Sequence, residues 1–213
     1  MVTQHHTEPG GNEAEEQVGG AVCLELTNTA SSRREGPVVE RLHSYDDLVG
    51  WAERTGVLDP AGAVELRVHA AADPEAAAKA LAATREFRES IYRVFSGRSH
   101  GSAIDAADLE LIARRYAEAV AHRRLVADHD SFRFAWPKPP SALELPLWVA
   151  AVSAAELLVS DQVTRVKECA TDNCNWLFLD ASRNRSRRWC EMSECGTRAK
   201  ARRHYQKKRG RAT

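Results

Sequence analysis

A chain of 213 residues with 43% apolar and 28% charged content is long enough for one or two globular domains with a real core. No run approaches the roughly 18–20 apolar residues of a membrane span, and the start lacks the basic and apolar regions of a secretory signal, which excludes membrane classes and predicts a cytoplasmic protein. The net charge of zero hides a division: residues 183–213 carry 12 Lys/Arg against 2 Asp/Glu, leaving 18 against 28 in the remaining 182, a polarity that directs the C-terminus toward an anionic partner.

Residues 1–19 are rich in Gly, Glu and Gln and predict a disordered tail, in which His5 and His6 are solvated. AVCLELTNT then turns apolar. Its alternation of Val22, Leu24 and Leu26 fits a short strand or the start of a helix equally well, and Cys23 within it reads as a small buried hydrophobe. Ser44 and Asp47 form a capping pattern ahead of LVGWAERTG, a helix that should end at Gly56 with Leu48, Trp51 and Ala52 on one face. Asp73 as N-cap and Pro74 at the first helical position open a longer helix, expected to stop near Ser96-Gly97, whose Leu81, Phe87, Ile91, Val94 and Phe95 would pack inward.

Asp105 should cap a further helix, AADLELIARRYAEAVAHRRLV, with Leu109, Ile112, Tyr116 and Val120 on one side and Arg114, Arg115, Arg123 and Arg124 solvated. SFRFAW alternates Phe132, Phe134 and Trp136, as one strand of a hairpin with LVADHD or as a solitary extended piece. PKPP closes it. From Ser141 the stretch ALELPLWVAAVSAAELLVSD predicts an apolar core helix to about Ser160, with Pro146 tolerated in its first turn and a kink otherwise.

Four of the five cysteines fall in the next 27 residues: Cys169-x4-Cys174, fifteen intervening residues, then Cys190-x4-Cys195. Two compact pairs joined by a short connection suit a tetrahedral cation, since each pair can wrap one edge of it. Disulfides would require a secreted setting, and an iron–sulfur cluster also takes four thiolates. Zinc leads, as one Zn2+ per chain, because this segment is small and has almost no core of its own. Four cysteines would fill the coordination shell and leave no position for a catalytic water.

After Cys195 the chain is nearly continuously basic. Arg183, Arg185, Arg187 and Arg188 lie between the ligand pairs, and Arg198, Lys200, Arg202, Arg203, Lys207 and Lys208 follow them. On a helix Arg198, Arg202, Tyr205 and Arg209 make one stripe, and Lys200, His204, Lys207 and Arg211 a neighbouring one. Such stripes fit phosphates, which supply salt-dependent affinity without sequence choice. Trp176, Phe178 and Trp189 would cover the metal site, or stack on exposed bases, while Asp180 and Ser182 shape a turn. No phosphate-binding Gly loop, His-Glu-x-x-His or Gly-x-Ser-x-Gly is present, and His43, His69 and His122 form no ligand set, so an enzyme is not expected.

The segment CATDNCNWLFLDASRNRSRRWCEMSECGTRAKARRHY resembles the zinc finger of the CGNR family of bacterial transcription regulators. The family tetrad Cys-Gly-Asn-Arg stands here as Cys195-Gly196-Thr197-Arg198; Thr197 keeps an oxygen able to cap a helix but loses the paired donor and acceptor of an amide. CLELTNT and SAAELLVSD resemble the ABATE domain that precedes the finger in that family. The resemblance implies a mainly α protein: a helical regulatory domain over 20–162 with a short β-hairpin, then a small treble-clef-like zinc finger over 163–213. It also implies DNA as partner, with a ligand-sensing or dimerising role for the helical part; because a single finger contacts few base pairs, a homodimer or cooperation with another protein is expected as well. The residues by themselves leave RNA as an alternative partner, and a thiol or iron–sulfur redox sensor as an alternative function.

Overall fold

The computed structural model describes residues 17–34, 37–137 and 142–209, without the side chains of residue 205 and residues 207–209. Among them are seven α-helices and three small two-stranded antiparallel sheets. The expected tail lies almost wholly outside the described residues, as do Ser141 and residues 138–140 of the Pro-rich stretch.

The first element, α1 (Val22–Thr27), is a helix, which settles the open reading of AVCLELT, and it buries Cys23, Leu24 and Leu26. A short pairing of β1 (Ala30–Ser31) with β2 (Val39–Glu40) follows, which the sequence did not predict. Helix α2 (Tyr45–Arg54) begins with the capping box of Ser44 and Asp47. Sequence reasoning passed over α3 (Pro60–Ala72), although its signals were present: Asp59 caps Gly62 N at 2.8 Å, and Pro60 opens the helix. The long α4 (Pro74–His100) is capped by Asp73 as expected, but it runs a turn past Gly97. It stops at Gly101, whose φ of 68° supplies the left-handed cap that a helix end requires.

Helix α5 (Ala106–Ala121) buries Asp108, Leu111, Ile112 and Ala119. Its inward stripe is therefore rotated from the expected one: Ile112 is buried, whereas Leu109, Tyr116 and Val120 are exposed. The cause is the ion pair of Asp108 with Arg93 of α4, at 2.5 and 2.8 Å, which turns an acidic residue toward the neighbouring helix. The hairpin reading then holds, with β3 (Arg124–Asp128) in register against β4 (Ser131–Ala135). Helix α6 (Leu145–Val159) starts with Pro146 inside its first turn, where no hydrogen bond is lost. The finger is built from β5 (Val166–Glu168), β6 (Leu177–Leu179), one wide π-type turn at Met192–Gly196 and α7 (Thr197–Arg209).

One large core joins α1 to α6, with Phe87, Ile91 and Phe95 of α4 and Leu147 of α6 fully enclosed. A second, small core holds Val18, Phe178 and the four clustered cysteines, flanked by Trp176 and Trp189. Strand β6 belongs to both: Leu177 points into the helical body and Phe178 into the cysteine cluster, as the two-residue period of a strand dictates.

Between α4 and β2 lies a buried ion network. Arg88, almost fully enclosed, donates to both oxygens of Glu40 at 2.7 Å and to Glu89 at 2.7 Å. Burial disfavours ionised Glu40, but hydrogen bonds from Arg88 and Leu42 N outweigh it and bring its carboxyl down to about 2. Folding thus lowers the pKa of Glu40, so its contribution is complete above the ordinary value of 4.5 and drains away as pH falls toward 2. Replacing Arg88 by Met removes the enclosed partner of the half-buried Glu40 and Glu89, which keep Arg85 and Arg33, and should cost about 1–3 kcal/mol in urea denaturation at pH 7. The loss should shrink when the same measurement is made in acid.

Candidate metal and nucleic-acid-binding finger

The cysteine pairs are brought together by backbone geometry. Cys169 directly follows β5, and its N–H donates to Trp176 O at 2.8 Å across the knuckle. Asn173 and Asn175 take φ values of 60° and 59°, a left-handed conformation that Asn tolerates better than most residues, and so the chain reverses within the x4 spacing. Cys174 N closes the turn on Thr171 O at 3.3 Å. The second pair comes from the approach to α7. Ala170 N donates to Arg188 O at 2.9 Å, which seats Cys190 beside the knuckle, and Thr171 Oγ1 donates to Cys195 O at 3.1 Å.

All four Sγ atoms lie within 4.8 Å of one another, and all four residues are buried. The sulfurs of Cys174, Cys190 and Cys195 form a triangle of 3.6, 3.5 and 3.7 Å. A Zn–S bond of about 2.3 Å in a regular tetrahedron requires sulfurs about 3.8 Å apart. The donor set therefore fits one zinc-sized ion held by four thiolates. A cluster of several irons, with sulfides between the thiolates, would hold its cysteines farther apart. These distances are also far too long for the ~2.05 Å of a disulfide, and all five cysteines are free. The four thiols titrate as one set: hydrogen bonds from its neighbours, Cys174 first, pull Cys169 down despite burial, whereas Cys174 and Cys190 are pushed up, chiefly by Cys169. Arg198 Nη2 donates to Cys195 Sγ at 3.1 Å and places positive charge against the sulfur cluster.

The loop between the pairs is organised by Lys167 and Asp180. Lys167 Nζ donates to Asp180 Oδ2 at 2.7 Å and to Arg187 O at 3.2 Å, and it also contacts Arg185 O. Asp180 is buried; that alone would raise its pKa, but Lys167 and Ser182 hold it at about 2. The expectation that Asp180 and Ser182 shape a turn is met by Ser182 N and Oγ donating to Asp180 Oδ1 at 3.0 and 2.5 Å.

The arginines divide by environment. Arg183, Arg185 and Arg188 are exposed. Arg187 is half-buried: its Nε donates to Trp189 O at 3.0 Å, its Nη2 reaches Val18 O at 3.3 Å and Cys190 O, and its guanidinium lies over Phe178. On α7 Arg198, Lys200, Arg202 and Arg203 are exposed, and Arg202 pairs with Asp172 of the knuckle. The side chains of Lys207 and Lys208 lie outside the described residues, as does Arg211. Phe178 is fully buried and Trp176 half-buried beneath Arg41, so both rings pack rather than project.

Sequence reasoning missed how the finger is fastened to the body. Asn28, just after α1, donates through Nδ2 to Leu177 O and accepts from Leu177 N through Oδ1, both at 2.9 Å, and so serves β6 as a strand partner would. Glu168, next to Cys169, accepts from Ser96 Oγ at 2.6 Å, Arg34 Nη2 at 2.9 Å and Tyr92 Oη at 3.3 Å through one oxygen, and from Asn175 Nδ2 at 3.0 Å through the other. These partners come from residues distant in sequence, and only the polar pair Asn28-Thr29 after an apolar run hinted at them.

A helical body followed by a small four-thiol knuckle defines the class: an α-rich domain joined to a C-terminal module of zinc-finger type. The sequence profile of the ABATE family, described as "putative stress-induced transcription regulator", matches residues 20–161, two thirds of the chain, and that of the CGNR zinc finger matches residues 165–208. The chain belongs to the ABATE family and ends in a CGNR-type finger. These are regulator and zinc-finger families rather than enzyme families. No curated protein matches the chain.

Replacing Asn28 by Ala orphans the N–H and C=O of Leu177 in a buried strand. The expected cost is roughly 2–4 kcal/mol, read from unfolding followed by tryptophan fluorescence, with Thr27→Ser as a control of small effect.

Proposed function

We propose that the protein is a zinc-dependent transcription regulator that binds DNA through its finger, with the helical body as the sensing or dimerising part. The observation that carries this reading is a tetrahedron of buried sulfurs at the root of a basic helix. Cys169, Cys174, Cys190 and Cys195 would hold one Zn2+. The ion would offset the charge of four thiolates and fix the orientation of α7, a structural role with no open coordination position.

Phosphates are the natural ligands of the exposed cations. Arg183, Arg185 and Arg188 on the loop and Arg198, Lys200, Arg202 and Arg203 on the helix belong to one small module, and Lys207 and Lys208 prolong the same helix. Arg187 supports the face rather than contacting the ligand, because its donors are already engaged by the finger's own carbonyls. Thr197, where the family tetrad has Asn, is exposed and sends its hydroxyl to Met192 O at 3.4 Å. Base reading would need Arg198 or Arg202 to leave Cys195 Sγ or Asp172 and reach a guanine edge. RNA is the second reading. The inward packing of Trp176 and Phe178 favours duplex DNA over unpaired strands, since stacking platforms for single bases need exposed rings. A recess of about 380 Å3 lined by Arg123, Trp136, Ser153, Glu156 and Gln162 is the natural seat for a small-molecule signal in the body.

Fluorescence anisotropy with duplex DNA should show affinity falling linearly in log–log form with salt. Replacing Arg183, Lys200 and Arg203 together by Gln should lower that slope by about 3 if each contacts one phosphate. Chelation of the metal should release one zinc per chain and abolish binding. An unchanged slope, or retained binding after metal removal, would defeat this reading, and preference for structured RNA would move the protein to the second one.

A further inference from the structure

The finger's arginine loop borders a groove whose other wall is formed by Gln17, Val18 and Gly20. Gln17 and Val18 line this groove of about 770 Å3 with Arg187, Arg188, Trp189 and Met192. The entry point is firmly held. Val18 packs into the cysteine cluster and accepts from Arg187 Nη2 at 3.3 Å. Gly19 O accepts from Leu179 N at 2.8 Å, and Gly19 N donates to Glu25 Oε1 at 2.7 Å. A Cβ at Gly19 would lie 3.0 Å from Glu25 N and Leu24 Cβ, a tight fit that favours glycine at this close approach. The N-terminal segment therefore starts from a fixed point on the basic face.

We propose that residues 1–16 dock on the arginine loop of this chain's own finger and compete there with polyanions. Residues 1–16 contain Glu8, Glu13, Glu15 and Glu16 and no Lys or Arg. The loop opposite presents Arg183, Arg185 and Arg188, exposed and without a carboxylate partner among the described residues. Its own acid, Asp180, is buried and engaged by Lys167 and Ser182. Glu191, also in the groove lining, accepts from Ser193 Oγ. An extended chain covers at most about 3.3–3.6 Å per residue. Glu13, Glu15 and Glu16 thus lie within about 15 Å of Gln17 along the chain, and Arg188 of the loop lines the same groove as Gln17. Tethering gives the segment an effective concentration on the order of millimolar, enough for weak ionic contacts to matter. At about 0.1 M salt charges interact over a Debye length near 10 Å, so docking is strongest in dilute salt.

The consequence is a threshold on binding. A polyanion must displace four carboxylates before it meets the loop, which disfavours sparse charge and favours dense phosphate. Only the identity of that polyanion depends on the nucleic-acid reading; the docking itself does not.

The test uses the full chain and a variant carrying Glu8→Gln, Glu13→Gln, Glu15→Gln and Glu16→Gln. At about 0.05 M salt the amide NMR signals of residues 183–188 should differ between the two proteins, and the difference should vanish at about 0.5 M, where screening removes the contact. Coincident loop signals at low salt would overturn the docking, whatever the protein binds. With random-sequence duplex DNA as probe, the variant should bind about threefold to tenfold more tightly at low salt. Equal affinities would overturn the competition. If neither protein bound the duplex, the nucleic-acid reading would fail, while the loop signals would still decide whether the segment docks.

Discussion

Four buried sulfurs within 4.8 Å of one another are the constraint on which the finger depends. Thiolates this close repel strongly in a low-dielectric interior. As thiols they would fill a small core that has Val18 and Phe178 as its only other buried apolar side chains among the described residues. A cation at the centre would turn that repulsion into cohesion, in keeping with the zinc-finger family that this segment matches. The surrounding features follow from that need. The left-handed Asn173 and Asn175 bend the chain tightly enough to bring the first pair round, and Arg198 offers a hydrogen bond to sulfur from the first turn of α7.

So small a core cannot hold itself in place, and the helical body supplies the rest. Strand β6 is shared: Leu177 belongs to the large core and Phe178 to the small one. Asn28 and Glu168 add polar fastenings that a hydrophobic contact could not provide, because each satisfies donors or acceptors fixed in one geometry. Glu168 adjoins a cysteine of the cluster and bonds to Tyr92 and Ser96 of α4. Any rotation of α4 would therefore be felt one residue from Cys169.

The sequence made the ends of this arrangement legible and left the middle hidden. Capped helices could be read because Ser44, Asp73 and Asp105 are local signals acting on backbone donors within three residues. The cysteine spacing was legible for the same reason. By contrast, α5 was read with the wrong face inward, because Asp108 is turned inward by Arg93 on another helix, and no local pattern encodes a partner fifteen residues away. Helix α3 was missed between two clearer ones, although Asp59-Pro60 announced it. The β1–β2 pairing, two residues on each side, is below what alternation can reveal. Arg187 could not be told from its neighbours by sequence, yet it is turned inward onto carbonyls while Arg183, Arg185 and Arg188 remain exposed.

That separation explains why a chain with no net charge can carry so basic a terminus. A wholly basic domain would be soluble but would attract every polyanion at long range. Here most of the excess acid lies in the body and the N-terminal segment, and residues 17–20 anchor that segment at the finger rather than at the far end of the body. Screening limits the influence of distant charge to about a Debye length. The acidic residues nearest Gln17 therefore matter most to the loop, and those on remote helices little. The position of the charge, more than its sum, sets what the finger can attract.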